Sequence, residues 1–275
     1  MSLVGANVAV ARVLADALPI PVILFLRCAL ASLVLLPFTV TFRPSVFPPR
    51  ALLGNLILQA ALGTLLYNIA LLAGLRRTGA LEGGLVLASL PAVVAVGAWL
   101  LLRERLPPQR WAAAALAALA MAALTLGRSS SVNGSLAGDA LIFLAVCGEA
   151  AYALLSKRIA GRTGIIQATF WMQVFSATLL APLAVPLLTY PMLVGMGWTI
   201  AALLVFHSLT ASVLSLLLWY NGLKNAPASL AGIFTAFLPA TAALLAILVL
   251  HEQPTTAYTA GLILMLLSIL LAARS

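Results

Sequence analysis

Residues 80–104 read ALEGGLVLASLPAVVAVGAWLLLRE, and residues 228–252 read ASLAGIFTAFLPATAALLAILVLHE. A shift of 148 places aligns them with 11 of 25 positions identical. A chain this rich in Ala and Leu would match by accident at roughly three, so the stretch is an internal repeat. The matches are ordered. Ala80, Gly84, Ala88 and Ala92 recur as Ala228, Gly232, Ala236 and Ala240, every fourth residue. On a helix that spacing lines small residues into one stripe. In lipid, such a stripe lets neighbouring helix backbones approach closely. Pro91 and Pro239 interrupt both stripes at the same place, and Glu104 and Glu252 close each segment 13 residues later. Each proline frees a helical carbonyl, that of Leu87 or Thr235. Membranes tolerate this where neighbours or water satisfy the backbone, so the prolines are expected to act as hinges.

The rest of the chain is of one kind with this stretch. It is 64% hydrophobic and 8% charged, with mean hydropathy +1.15. Soluble domains carry about 25% charged residues. Ten apolar runs approach the length of a membrane span: Leu3–Leu18, Val22–Thr39, Leu52–Leu75, Gly79–Leu102, Arg110–Leu126, Gly138–Lys157, Gln167–Leu188, Gly197–Leu223, Ala228–Leu250 and Thr256–Ala273. Proline pairs and polar turns punctuate them, and no connector is long enough to form a soluble domain. The fold class is therefore an all-α polytopic membrane protein. A first five-helix repeat occupies 1–127, a linker 128–137, and a second repeat 138–275.

The net charge of +9 does not signal nucleic-acid binding, because the basic residues lie between apolar runs rather than in one patch. With a cytoplasmic N-terminus, ten Lys or Arg residues fall on inner loops and the C-terminal end, and three on outer loops. The positive-inside rule then places both termini in the cytoplasm of a multi-pass inner-membrane protein. An odd number of crossings per repeat inverts the second copy, the plan of secondary transporters, with the substrate site at mid-membrane between the halves. Both halves lie in one chain, so a monomer can build a complete site. Cys28 and Cys147 fall within spans and read as packing residues. No charged n-region precedes the first apolar run, so no cleavable signal peptide is expected. No cofactor or metal is expected.

Polar residues inside spans are the candidate site, since a polar group facing lipid is costly. In the eighth span Ser208, Ser212, Ser215 and Trp219 step by 4, 3 and 4 and share a face, with His207 at its edge. The repeat sets Gln59, Thr64 and Tyr67 opposite His207, Ser212 and Ser215. These two stripes read as cavity walls or as interhelical glue. Glu149 lies about 15 Å from either end of the sixth span by helical rise. It reads as a proton-coupling carboxylate or an anchor for a substrate ammonium, with Tyr152 one turn on. Arg12 and Arg27 are the candidate buried cations, and Arg12 is the expected anchor for a substrate carboxylate. Trp171, Gln173 and Trp99 are placed toward the cavity, whereas Trp111 and Trp198 read as interfacial anchors. Glu82 and Asp139 read as helix-start residues. Glu104 and Glu252 read as caps of the following helices or as partners of nearby arginines.

The segments ASLPAVVAVGAWLLLRERL at 88–106 and LLWYNGLKNAPASLAGIFTAFLPATAALLAILVLHEQPT at 217–255, with Asn7 and Arg12 near the start, resemble the drug/metabolite transporter superfamily. The type resembled is the ten-helix EamA-type transporter, over essentially the whole chain. The family often has glycine before the glutamates that end the fourth and ninth helices, where this chain has Arg103 and His251. The resemblance implies a central cavity lined by helices 1, 3, 4, 6, 8 and 9, with helices 5 and 10 peripheral. Members carry amino acids, purines, nucleotide sugars or drugs, and the aromatic amino-acid exporters are the nearest in character.

The expected function is export of a small metabolite, most simply an amino acid and an aromatic one in particular, by alternating access. The alternative is a multidrug efflux carrier for lipophilic cations. No phosphate-binding GxxxxGK[ST] loop is present, so the drive would be a gradient. An intramembrane enzyme is not expected: HExxH, GxSxG and paired-Asp motifs are absent, and His207 and Ser208 diverge by about 100° on a helix. A passive channel is the remaining class.

Overall fold

The computed structural model describes residues 2–41, 48–77, 86–126, 135–237, 241 and 256–273. Among the described residues these helices follow one another: α1 Ser2–Ala17, α2 Ile20–Thr41, α3 Arg50–Leu75, α4 Leu90–Leu101, α5 Pro108–Leu126, α6 Leu136–Ile159, α7 Ile165–Leu187, α8 Trp198–Asn225, α9 Ala228–Phe234 and α10 Thr256–Ala273. A five-residue helical turn, Tyr190–Val194, joins α7 to α8. The chain is a polytopic helical membrane protein. Of these helices α2, α3, α6, α7 and α8 are each long and apolar enough to cross a bilayer within the described residues. Several extend one or two residues past the apolar runs, because turn residues join their ends. Pro108 opens α5, where its missing N–H costs nothing.

The packing has a two-fold pattern. Three helices pack against their own repeat mates, α2 on α7, α4 on α9 and α5 on α10. The fourth relation is an exchange: α3 packs on α6, and its mate α8 packs on α1, the mate of α6. The α5–α10 seam is built from small residues, with Ala113, Ala117, Ala120 and Ala272 buried. Ser268 Oγ donates to the Ala113 carbonyl across it at 2.7 Å. Large apolar side chains such as Leu33, Leu100, Leu266 and Leu270 lie exposed on the outside, where lipid is their solvent.

The repeat extends to an irregularity that the periodicity does not reveal. Both α3 and α8 widen into a π-helical segment, Ala60–Leu66 in one and Ser208–Leu214 in the other, at the same offset of 148 residues. Wide turns leave carbonyls poorly paired, and nearby side chains supply the donors. Asn68 Nδ2 donates to the Thr64 carbonyl at 2.6 Å, and Ser215 Oγ to the Thr210 carbonyl at 2.7 Å.

Helices α4 and α9 share a second feature. A non-helical turn falls at Ala88–Ser89 before α4 and at Thr235–Ala236 after α9. In each, a hydroxyl returns to the carbonyl three residues back: Ser89 Oγ to Val86 at 2.7 Å and Thr235 Oγ1 to Gly232 at 2.6 Å. Pro91 thus sits in the first turn of a helix that begins at Leu90, and the discontinuity lies just upstream, where the Ser89 amide bonds to Val86. Ala80, Gly84, Pro239, Glu82 and Glu252 lie outside the described residues. Ala88, Ala228 and Ala236 are buried, and a Cβ on Gly232 would stand 2.7 Å from Val94, so α9 and α4 cross closely there.

The glutamate that ends the α4 segment caps a helix of the other repeat rather than the one that follows it. Glu104 Oε1 and Oε2 accept from the amides of Ala228 and Ser229 at the start of α9.

Candidate functional site

The polar residues sort into two groups once the helices are packed. One group is consumed by the scaffold. Gln59 is fully buried in α3. Its Oε1 accepts from Ser156 Oγ of α6 at 2.8 Å and from Tyr220 OH of α8 at 2.6 Å, and its Nε2 donates to Asn55. His207 Nδ1 lies 3.0 Å from Asn7 Oδ1 of α1, and Thr210 Oγ1 donates to the same oxygen. Gln59 and His207 are repeat mates, and each ties its helix to the partner in the α3–α6 or α8–α1 pair.

The serine stripe is likewise engaged. Ser208 Oγ donates to the Arg27 carbonyl of α2 at 2.7 Å, and Ser215 Oγ closes its own wide turn. Ser212 is buried, and its carbonyl accepts from Gln173 Nε2 of α7 at 2.6 Å. Thr64 Oγ1 meets Ser176 Oγ of α7 at 3.1 Å. The π segment at 208–214 breaks the uniform helical period of this stripe. Ser208 bonds across to α2, while Ser215 bonds within α8. Trp171 and Trp99 are also displaced from the cavity reading. Trp171 packs among Phe170, Phe175 and Tyr220. Trp99 is 54% exposed and meets Trp111 edge-on. That pair lines a surface depression with Arg103 and Arg105 at the α4–α5 turn.

The second group lies between the repeats. Gly148 precedes Glu149, and a Cβ there would stand 2.8 Å from the Leu62 carbonyl. The backbones of α6 and α3 therefore touch at the π segment, which sets the half-buried Glu149 beside the widened turn. Tyr152, one turn on, covers Gly63 of the same segment. Its ring stacks on Trp219 of α8, with centroids 6.3 Å apart and planes 13° from parallel. Val94, Ala150 and Ala153 pack around Trp219. Arg27 on α2 lies against the wide turn of α8, where Ser208 Oγ donates to its carbonyl. Two donors in this region, Arg27 Nε and Trp219 Nε1, are buried without a hydrogen-bond partner. The arrangement supplies one acid, one base and an aromatic stack, contributed by α2, α3, α6 and α8. Sequence reasoning placed the anion anchor at Arg12, whose side chain lies outside the described set. The signal for Arg27 was available, since an arginine deep in an apolar run needs a partner, but choosing between the two required the packing.

The family model described as the EamA-like transporter family matches residues 1–126 and again residues 136–274. The Bacillus subtilis (strain 168) protein "Uncharacterized transporter YetK" is 28% identical over 260 residues, covering 92% of this chain and 78% of its own. A solved crystal structure superposes with a TM-score of 0.82 at 20% identity, over 99% of this chain and 93% of that one, a likeness of fold.

Proposed function

The chain belongs to the EamA-like transporter family, and from that premise we propose that it exports a small metabolite, an amino acid and most simply an aromatic one, by alternating access between its two repeats. The protein is a transporter and not an enzyme. The observation that carries the substrate reading is the placement of Glu149 and Arg27 on opposite repeats, each beside a wide turn of a neighbouring helix. A site with an acid on one side and a base on the other matches a molecule with an ammonium and a carboxylate. The Tyr152–Trp219 stack adds an aromatic surface beside it.

The remaining parts of the proposal follow the same logic. Repeat 1–127 and repeat 138–275 lie inverted across the bilayer, with the linker at 128–137 between them. Both termini face the cytoplasm of an inner membrane, as the Lys and Arg distribution favours. A gradient supplies the drive. The discontinuities at Ser89 and Thr235 are the natural points of flexure, since tight turns replace the regular helical bonds there. The cap that Glu104 places on α9 holds the inner ends of α4 and α9 together.

A second reading, efflux of lipophilic cations, is favoured by the same Glu149 and aromatic stack. Counterflow in proteoliposomes separates the two. Vesicles loaded in turn with tryptophan, phenylalanine, threonine, a purine or a lipophilic cation are tested for uptake of the matching labelled solute, with and without a pH gradient. Exchange of aromatic amino acids is expected. Exchange of the lipophilic cation alone would replace this reading with the second.

A further inference from the structure

We infer that Arg27 is the anion anchor of the transport site, its buried Nε–H face taking a carboxylate of the substrate. The inference rests on the transporter reading above and deepens it by fixing which substrates qualify.

The geometry is specific to this residue. Arg27 lies in α2, whose backbone is pinned at this position by Ser208 of the α8 wide turn donating to the Arg27 carbonyl. The side chain is half-buried and its Nε is fully buried, with no hydrogen-bond partner. A guanidinium carries five N–H donors in a planar fork, and the Nε–H with one Nη–H matches the two oxygens of a carboxylate. A buried donor left unmet is a standing cost that an arriving acceptor removes. Scaffold residues nearby, Gln59 and His207 among them, are satisfied by one another. Arg27 Nε is left unmet, and it is the one charged donor so placed among the described residues.

The position relative to Glu149 fixes the ligand class. Arg27 of the first repeat stands at the α8 wide turn and Glu149 of the second beside the α3 wide turn, so each repeat offers one charge. A compact molecule with a carboxylate and an ammonium spans them. A cation lacking an anionic group leaves the Nε unmet, and an anion lacking an ammonium leaves Glu149 unmet. Movement of one repeat against the other changes the separation of the two charges, so occupancy by a zwitterion is coupled to the conformational step.

The test uses the purified protein in detergent, with thermal stabilisation as the readout. The ligands are L-phenylalanine and L-threonine, each with its deaminated and its decarboxylated analogue. Wild type is expected to be stabilised by at least one parent amino acid and its carboxylate-bearing analogue. Arg27→Gln and the milder Arg27→Lys weaken that binding at least about tenfold, leaving the decarboxylated amine unchanged. Glu149→Gln gives the converse pattern. Arg27→Lys decides the matter should the glutamine variant fail to fold. The inference is overturned if no carboxylate stabilises wild type, if the amines stabilise it equally well, or if neither Arg27 variant changes carboxylate binding. Counterflow run in parallel keeps the two ideas apart. Carboxylate-selective stabilisation without amino-acid counterflow would sink the exporter reading and leave Arg27 in its role.

Discussion

The Ala228 amide, first in α9, donates to the carboxylate of Glu104, at the end of the α4 segment, at 2.7 Å. The two positions belong to opposite repeats, and Ala228 is the repeat mate of Ala80, where the α4 stretch itself begins. A carboxylate at a helix N-terminus satisfies orphan amides and complements the helix dipole. Glu104 also accepts from Ser229 at 3.2 Å, and because the cap residue Pro227 has no N–H, two of the three free amides of α9 are met by one side chain. Glu104→Ala is expected to lower stability by about 1–2 kcal/mol. Thermal unfolding of the purified protein reads this, and an unchanged midpoint would remove the cap from the account.

Arg103 presents that carboxylate from a left-handed backbone, φ 54°. Such a conformation is disfavoured for residues with a Cβ and free of penalty for glycine. The glycine common before this glutamate in the family thus has a local cause. Arg103→Gly is expected to stabilise the protein by about 1 kcal/mol, offset in part by the looser unfolded chain. A drop in melting temperature would show that the arginine side chain contributes more than its backbone costs.

Gln59 holds three helices with one amide. Gln59→Leu leaves Ser156 and Tyr220 without their buried acceptor and is expected to destabilise by about 1–3 kcal/mol. Tyr220→Phe alone costs about 1 kcal/mol. The double variant costs less than the sum, because both changes break the same bond. A chemical or thermal unfolding cycle measures the coupling, and strict additivity would contradict the network.

Gly148 and Gly222 make a controlled pair. A Cβ at Gly148 meets a backbone carbonyl, which cannot rotate away, whereas nothing lies within 4 Å of one at Gly222. Gly148→Ala is expected to cost about 1–3 kcal/mol by forcing α6 from α3. Gly222→Ala is expected to be neutral or stabilising by up to about 1 kcal/mol, since alanine is the better helix former. Equal effects in a melting assay would argue against the close α3–α6 contact.

Glu149→Gln keeps the size of the side chain and removes its charge. In proteoliposomes the variant is expected to lose any response of transport to a pH gradient. Exchange of a bound amino acid should fall by at least about tenfold through loss of the ammonium partner. Retention of both properties would assign Glu149 to the scaffold.

Much of this architecture is legible in residue order, and the gaps have physical causes. Apolar runs bounded by proline and arginine give the helices to within a few residues, because both signals are local. The match of 80–104 with 228–252 gives the repeat, because small residues mark where backbones meet. The π segments are not legible. AALGTLL and SLTASVL share no composition that demands a wide turn. That one omission rotates everything beyond it, so Ser208 and Ser215, aligned on paper as a wall, end on backbone carbonyls. The choice of Arg27 over Arg12 is hidden for a related reason. Both are single arginines in apolar runs, and the buried Nε of Arg27 shows only once the helices are packed.

The paired wide turns also bear on descent. A wide turn adds a residue to a helix, and its occurrence at one register in both halves is most simply a single event copied. It was therefore present in a five-helix ancestor before the gene doubled. Such an ancestor could complete these contacts only by meeting a second copy of itself. The fused chain retains that encounter as the seams α2–α7, α4–α9 and α5–α10, where each helix still faces its former twin.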